Sequence, residues 1–337
     1  MRRPRFAACV LVASLAPLPA TAAPGSKPVF TDPAATDEDH ACQGEYAGAV
    51  KRDGGDLHYG VQVVALGDGK FDAVGYPGGL PGAGWTPPDK VRGTGERRGD
   101  VVALEGMDLG GTKRRGEIRG GAIVVLDDAG AAIATLPKVV RESPTLGAKP
   151  PAGAVVICDG PGPVDEHATL VSPRLTEDGL LMEGVTTKDS FGDATWHIEF
   201  RLPYQPQDRG QARGNSGAYF LGAYEVQMLD SFGLEGRNNE CGGLYSVAPP
   251  QVNMCLPPLT WQTYDVEVTA PRFEGDRKVA DARLTVRHNG VQIHDDVPVA
   301  KITPAGPRKE EGTTGPLHLQ NHGNPVRYRN IWVVPKS

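Results

Sequence analysis

The amino-acid sequence predicts an all-β protein in which a C-terminal jelly-roll β-sandwich follows a small all-β domain. Three observations predict this fold. Glycine and proline are abundant, at 44 and 30 of 337 residues, and aromatic residues make up only 6%. Short runs that alternate between apolar and polar residues recur between turn residues, and no amphipathic helical stretch of convincing length occurs. Short strands joined by many turns account for this composition.

The N-terminus has the pattern of a secretory signal peptide over residues 1–22. Three arginines among the first five residues precede an apolar run over residues 6–18, and the small-residue pattern Ala20-Thr21-Ala22 follows. The run is too short for a membrane span, and Cys9 lies inside it, where a lipoprotein anchor would need a cysteine after it. We therefore predict a secreted or periplasmic protein without a membrane span.

The charge balance argues against two classes of partner. Cleavage after Ala22 would remove three arginines and no acidic residue, which leaves 32 basic against 41 acidic side chains. An acidic surface of this kind is unfavourable for nucleic acid and for anionic membranes. Neither is predicted as a partner, and the sequence does not specify an oligomeric state.

The N-terminal half is predicted to form the smaller domain. Residues 23–41 are rich in Pro, Ala, Asp and Thr and are interpreted as a flexible lead-in. Alternation from Tyr59 to Leu66 runs into a turn at 67–69, which predicts a hairpin, and further strands are expected near 101–104, 115–118 and 122–126. These strands place a small all-β accessory domain at 42–145, and the Gly- and Pro-rich residues 146–152 are the predicted linker.

The C-terminal half, residues 153–337, is predicted to form the two-sheet jelly roll. The sequence His288-Asn289-Gly290-Val291 indicates a two-residue hairpin turn, because Asn-Gly tolerates the positive φ angles of such turns. No period of 20–50 residues repeats, so a propeller or a solenoid is not expected. Alternating segments lie at 195–201, 217–221, 224–229, 262–268, 282–287 and 328–334.

Four cysteines would remain after export into an oxidising compartment, where disulfides persist. Three pairings of Cys42, Cys158, Cys241 and Cys255 are possible from the sequence alone. We favour a disulfide between Cys241 and Cys255, because both lie in one loop-rich segment and close a short loop; Cys42 with Cys158 would follow by elimination. A zinc site is not expected, since no Cys-x-x-Cys pair with matching histidines occurs.

The densest polar cluster spans residues 213–217 and 224–230. Successive side chains of a strand point to opposite faces, so Glu225 and Gln227 would share one face. Because burying both in an apolar core is costly, this face is expected to line a groove or a buried polar network. Strict alternation would put Asp230 on the other face, and a bulge near residues 228–229 would bring it back.

The spacing Glu-x-Gln-x-x-Asp in this cluster resembles the Glu-x-Asp-x-x-Glu signature of laminarinase- and lichenase-type glycosidases, which are also jelly rolls. Retaining enzymes of that type need two carboxylates about 5 Å apart. Here the middle acid is an amide and the last is shortened, which argues against a conventional double displacement.

A more specific resemblance is carried by six segments in order: Arg213-Gly-Asn-Ser-Gly217, Tyr224-Glu-Val-Gln-Met-Leu-Asp230, Cys241-Gly-Gly-Leu-Tyr245, Trp261-Gln-Thr-Tyr-Asp265, His288-Asn-Gly290, and Leu319-Gln-Asn-His-Gly323 through Arg329-Asn-Ile-Trp332. With these segments, residues 153–335 resemble the 3-keto-disaccharide hydrolase family. The resemblance implies a concanavalin-like or LamG-like jelly roll and cleavage of glycosides already oxidised at C3 of the sugar.

The implied substrate suggests a mechanism. A C3 ketone acidifies the C2 hydrogen, so the aglycone can leave by base-driven elimination, after which water adds. This route needs a base, an acid for the leaving oxygen, and hydrogen-bond donors around the developing enolate. Glu225 and His322 are the predicted catalytic pair, with the assignment of base and acid left open. The predicted substrate-binding residues are Arg213, Asn215, Gln227, Asp230 and Gln320.

Structural roles are the alternatives for the catalytic candidates. Glu225 could be an ion-pair partner of a nearby arginine, His322 a turn residue, and Asp230 a cap for the loop at 231–233. For other polar and aromatic residues the structural role is the preferred interpretation. Arg329 and Asn330 are expected in a buried network, His197 and Glu199 on a solvated face, and Trp261 and Trp332 in the core, with sugar stacking as the alternative.

No cofactor is predicted. Calcium between the sheets would be compatible with this architecture, but residues 230–240 lack EF-hand spacing. Because a fold does not determine a function, a non-catalytic carbohydrate-binding module of the cell envelope is the main alternative. Such a module needs an exposed aromatic platform, whereas an enzyme needs Glu225 to converge with His322 or Arg213. A structural or interaction module would have no such pocket.

Overall fold

A computed structural model of the chain describes residues 27–52, 55–163 and 169–336, which are mostly β-strand. The predicted signal peptide and Cys9 lie outside these residues, so export stays a prediction. In the described ranges no helix is both long enough and apolar enough to cross a membrane.

Residues 44–139 form a closed barrel of eight antiparallel strands. Each strand pairs with the next, and β8 returns to pair with β1. Inward-facing apolar side chains such as Tyr46, Phe71 and Leu136 fill one half of the barrel, which Tyr204 and Leu259 of the C-terminal half cover. The strands are β1 Gly44–Arg52, β2 Gly55–Gly67, β3 Lys70–Pro77, β4 Val91–Arg98, β5 Val101–Met107, β6 Lys113–Arg119, β7 Ala122–Leu126 and β8 Ala132–Val139.

The C-terminal half is a two-sheet sandwich around a second apolar core. The smaller sheet has the order β10-β12-β21-β14-β15; the larger has the order β11-β22-β13-β16-β19-β20, with β9 also on β22. The all-β fold-class prediction is therefore confirmed. The strands are β9 Val155–Cys158, β10 Leu170–Val171, β11 Leu181–Met182, β12 Val185–Thr187, β13 Ala194–Arg201, β14 Ser216–Phe220, β15 Tyr224–Met228, β16 Trp261–Thr269, β17 Arg272–Glu274, β18 Arg277–Ala280, β19 Ala282–His288, β20 Val291–Val299, β21 His318–Leu319 and β22 Arg327–Pro335.

The described part of the lead-in, residues 27–41, contains more structure than its composition indicated. A 3-10 helix at Pro33–Ala35 and the short α-helix α1 at Glu38–Cys42 each begin after an aspartate whose side chain accepts a backbone N–H. Phe30 pairs through its backbone with Tyr204 of the sandwich. The segment is thus attached to the C-terminal half.

The predicted Asn-Gly turn joins β19 to β20. Asn289 and Gly290 adopt φ angles of 50° and 78°, and His288 pairs with Val291. The Asn289 side chain also accepts a hydrogen bond from Thr263 N at 3.0 Å and donates one to Met254 O at 2.9 Å. The turn therefore anchors the loop before β16 as well as reversing the chain.

The predicted Cys241–Cys255 disulfide is not formed in this structure, where both residues carry free thiols in the sandwich core. The two thiols are nevertheless close enough to affect each other's pKa, while Cys241 Sγ lies 3.2 Å from Tyr264 Oη and Cys255 Sγ donates to Leu229 O. Cys42 packs against the barrel core and Cys158 lies in the sandwich core, so the structure does not support the pairing reached by elimination.

The proximity of Cys241 and Cys255 makes their disulfide a testable prediction for exported protein. Peptide mapping without reduction is expected to link the segments that contain them, because an oxidising compartment favours a bond between adjacent thiols. Exported protein in which alkylation labels both thiols would contradict the prediction, and cytosolic protein is the matched reduced control.

Candidate active site

The register of the smaller sheet aligns four polar side chains in one row across β12, β21, β14 and β15. Thr186 is opposite His318, His318 is opposite Tyr219, and Tyr219 is opposite Glu225. Side chains of directly opposed residues lie on the same face of a sheet. Residues one position away, including Leu319, Ala218 and Val226, face the apolar core. The Glu225 row therefore lies on the face of the sheet that points away from the core.

A hydrogen bond joins Tyr219 to Glu225. Tyr219 Oη lies 2.8 Å from Glu225 Oε2 and 2.9 Å from the carbonyl oxygen of Pro304, and Gln320 Nε2 donates to it at 3.3 Å. A tyrosine hydroxyl has only one proton. When it donates to Pro304, the contact with Glu225 requires a proton on the carboxyl group; when Glu225 is ionised, Tyr219 donates to it.

Glu225 is buried, and burial raises its pKa to about 7, against the hydrogen bond from Tyr219, which acts to lower it. No hydrogen bond from the described residues reaches its second oxygen, Oε1. That oxygen lies over Gly217, where an added Cβ would stand only 2.1 Å from it. The backbone is thus shaped to admit the carboxyl group. A carboxyl that titrates near neutral pH is suited to proton transfer.

The structure places His318, and not His322, in the Glu225 row. Nδ1 of His318 lies 2.8 Å from Thr186 Oγ1, and burial lowers the pKa of this histidine although a backbone contact with Val185 opposes the shift. His322 is exposed in a turn where Gly323 N donates to the Asn321 side chain. The described contacts do not join His322 to Glu225. The missed signal was alternation on β21, which gives His318 and Gln320 the same face.

The predicted donors Asn215 and Gln227 belong to an amide cluster beside the row. Asn215 Nδ2 and Gln227 Nε2 each donate a hydrogen bond to Gln211 Oε1, both at 3.1 Å. Asn215 Oδ1 is buried without a hydrogen-bond partner. Gln211 was not singled out from the sequence, because it lies in the 3-10 helix Gly210–Ala212, outside the strand pattern.

Arg213 and Asp230 do not join this row; they form a buried ion pair with an Nε to Oδ2 distance of 2.6 Å. Arg213 also donates to the carbonyl oxygen of Ala65 in the barrel, at 3.3 Å, and Asp230 accepts a hydrogen bond from Phe232 N. In the structure Asp230 caps the 231–233 loop and Arg213 joins the two halves, and the predicted role of both residues in substrate binding stays a prediction.

A cavity of about 400 Å³ is lined by residues 245–247, 301–306, 308 and 309. The same segment contacts the row directly. Thr303 Oγ1 accepts a hydrogen bond from Glu225 N at 3.0 Å, and the Pro304 carbonyl accepts the one from Tyr219. Arg308 and Lys309 add positive charge to the cavity wall. The cavity is thus connected to the Glu225–Tyr219 pair through Thr303 and Pro304, while the pair itself does not line it.

A second polar network lies on the outer face of the larger sheet and includes His197 and Glu199. The prediction that these two residues lie on a solvated face is wrong. Their exposed fractions are 0% and 1%. His197 Nδ1 lies 2.6 Å from Asp265 Oδ1, while Glu199 accepts hydrogen bonds from Arg329 at 2.7 Å and Asn330 at 2.8 Å. Arg329 and Asn330 thus have the structural role that was expected.

Residues 143–148 cover this network, which explains its burial. Gly147 N donates to Glu199 at 2.5 Å, and Thr145 Oγ1 donates to Asp265 at 2.7 Å. Trp332 stacks on His197 with ring centroids 5.0 Å apart, and the Arg329 guanidinium lies 4.1 Å from the Trp261 ring centre. Both tryptophans therefore contribute to this network.

Across the described ranges, no group of three or more His, Cys, Asp or Glu side chains is arranged so that it could hold a metal ion.

Comparisons with known proteins identify relatives of the C-terminal half. A family model described as a 3-keto-alpha-glucoside-1,2-lyase-like domain matches residues 159–334. A solved candidate glycosyl hydrolase of Parabacteroides distasonis ATCC 8503 is 29% identical, covering 55% of this chain and 85% of its own, with a TM-score of 0.49. A second candidate from that organism is 17% identical, covering 54% and 99%, with a TM-score of 0.38. No curated protein matches the chain.

Proposed function

The match over residues 159–334 places the chain in the 3-keto-α-glucoside-1,2-lyase-like family. We propose that it is an exported enzyme that cleaves the glycosidic bond of 3-keto-glycosides. The observation that carries the proposal is the Glu225–Tyr219 pair. It combines a carboxyl group whose pKa is raised to about 7, an oxygen that no hydrogen bond from the described residues reaches, and direct contacts with Thr303 and Pro304, which line a cavity. The family description, which names a 1,2-lyase, supports elimination across C1 and C2.

In the first step, ionised Glu225 removes the C2 proton, which the neighbouring C3 ketone has acidified. The C–H electron pair forms an enolate with C3 and its oxygen, and then a C1–C2 double bond as the bond from C1 to the aglycone oxygen breaks. The aglycone leaves with a proton from an acid. Water then adds at C1 and a proton returns to C2, so the net reaction is hydrolysis.

Amide groups beside the row stabilise this charge flow. Gln320 and Gln227 present amide N–H groups on the same face as Glu225, and such donors stabilise an enolate oxygen when they are already in position. His322 remains the proposed acid for the leaving oxygen. Its turn begins just after Gln320, whose amide contacts Tyr219, so a sugar bound over the row would lie within reach of that turn.

The alternative of a carbohydrate-binding module is less well supported. Such a module needs an exposed aromatic platform, and the strongly exposed large apolar side chains in the described residues are Val, Met, Leu and Ile. Trp261 is only partly exposed and its ring is occupied by arginines. A polar face with a titrating carboxyl group favours catalysis.

The proposal is tested by incubating the purified protein with 3-keto-glucosides and with the matching unoxidised glucosides, while release of the aglycone is followed. Release from the 3-keto compounds alone is the expected result. Equal release from both would point to an ordinary glycosidase, and binding without release from either would support the carbohydrate-binding module.

Replacement of Tyr219 by phenylalanine is expected to shift the pH profile of kcat/KM. The Tyr219 hydrogen bond lowers the pKa of Glu225, so its loss raises that pKa further above the ordinary range. The base must be ionised, and activity therefore rises with pH through the pKa of Glu225. The rising limb should move to higher pH, with activity reduced at pH 7 and partly recovered above it.

Tyr224→Phe is the matched control, because Tyr224 lies in the same sheet and its hydroxyl donates to Glu311 on the core side. Its rising limb should stay at the wild-type pH. An unshifted limb in Tyr219→Phe would show that Tyr219 does not control the protonation of Glu225.

A further inference from the structure

The N-terminal barrel encloses a cavity of about 300 Å³ that the proposed chemistry does not use. Its wall is mostly apolar. The side chains that line it include Val61, Ala73, Val91, Leu104, Ile123 and Val125.

Glycines explain why this half of the barrel is hollow. An eight-stranded barrel is just wide enough for its inward side chains to fill it. Here Gly75, Gly93, Gly106 and Gly116 line the cavity, and Gly93 stands opposite Gly106. On their strands these glycines point into the barrel, as do the side chains that fill the other half, which include Phe71, Val102 and Ile118. Space that side chains would otherwise occupy is left open.

The mouth of the cavity combines exposed apolar groups with positive charge. Met107 and Ile133 line it and are 56% and 41% exposed. Of the two neighbouring arginines, Arg114 pairs with Asp108 at 2.8 Å, whereas Arg115 donates only to the carbonyl oxygens of residues 127 and 128 in the described structure. Arg115 also stands directly opposite Glu105, but that carboxylate pairs with Lys113 at 3.0 Å, and no ion pair of the described residues includes the Arg115 guanidinium.

We propose that the barrel is a binding site for a small amphiphile with one apolar chain and a carboxylate headgroup. The chain would occupy the glycine-lined cavity, where burial of apolar surface stabilises it, and the carboxylate would bind Arg115. A volume of about 300 Å³ is at the lower end for ligand pockets, which favours a single medium-length chain over a two-chain lipid. This proposal is independent of the function assigned to the Glu225 row.

The test is calorimetric titration of the full chain with decanoate, below the concentration at which decanoate aggregates, and with decanol as the uncharged comparison. Saturable binding of decanoate at one site is expected. Ala73→Phe and Val125→Phe each place a ring in the cavity from different strands and should weaken binding at least tenfold; two variants are used in case one fails to fold, which circular dichroism checks.

Arg115→Gln should weaken decanoate binding several-fold and leave decanol binding unchanged. Arg119→Gln, on the same strand but outside the cavity, is the matched control and should bind both as wild type does. Absence of saturable binding to wild type, or wild-type affinity in a folded Ala73→Phe or Val125→Phe variant, would overturn the proposed site. An equal loss for decanoate and decanol in Arg115→Gln would overturn the headgroup assignment.

Discussion

Replacement of Glu225 by glutamine is expected to lower turnover of a 3-keto-glucoside by about 10² to 10⁴-fold, the usual contribution of a general acid or base. The substitution keeps the shape of the side chain and a hydrogen-bonding partner for Tyr219, so the fold should survive. What it removes is the carboxylate that takes the C2 proton. Sugar binding, measured with an unreactive glucoside, should stay close to wild type.

The comparison needs variants whose thermal midpoints match that of wild type, since loss of a structural contact would also reduce activity. Glu267→Gln is the matched control, because Glu267 is exposed on the larger sheet and pairs with Lys336. It should retain full turnover. Near wild-type turnover in a folded Glu225→Gln variant would remove Glu225 from the mechanism and leave His322 as the better candidate for the base.

Replacement of Glu199 by alanine is expected to lower the free energy of unfolding by about 3–5 kcal/mol, the range for breaking a buried ion pair by removing one partner. Glu199 is 1% exposed and accepts hydrogen bonds from Arg329, Asn330 and Gly147 N. Without it, the Arg329 charge and these donors lose their acceptor. Urea unfolding at pH 7 measures the loss, and Glu267→Ala, at an exposed ion pair, should change stability by about 1 kcal/mol or less.

The pH dependence of stability gives this network an independent check. Although burial acts to raise the pKa of Glu199, its contact with His197 and its hydrogen bonds from Asn330, Gly147 N and Arg329 lower it to about 2. A lowered pKa means that the stabilisation is complete above the ordinary value of 4.5 and is lost as the pH falls towards 2. Wild type should therefore lose more stability than Glu199→Ala between pH 5 and pH 2. Parallel losses would show that the ionised form of Glu199 does not stabilise the fold.

The pKa of His197 is shifted in the opposite direction to that of Glu199. Burial lowers its pKa, but the hydrogen bond to Asp265 and the nearby Glu199 carboxylate outweigh burial and raise it above 6.5. A raised pKa gives stabilisation that is complete below pH 6.5 and is lost as the pH rises through the pKa of the folded state. The two shifts together predict that this network stabilises the fold most in mildly acidic solution, between about pH 4.5 and pH 6.5.

The sequence by itself determined the features that depend on neighbouring residues. Alternation of apolar and polar side chains is a local property of a strand, and it identified the all-β fold. It also gave Glu225 and Gln227 a shared face, which is the face of the structure that points away from the core. The Asn289-Gly290 turn was equally predictable, because its positive φ angles follow from two adjacent residue types.

Tertiary structure decided which distant residues meet. The pairing of β21 with β14 sets His318 beside Tyr219, and a register shift would have chosen another residue for the row. The burial of Glu199 depends on residues 143–148, about fifty positions away in the chain. The backbone N–H of Gly147 in that segment donates a hydrogen bond to Glu199. Arg213 binds Asp230 and the barrel because the two halves pack together. Strand alternation gives the face on which a side chain lies, whereas its partners depend on strand register and on the packing of segments far apart in the chain.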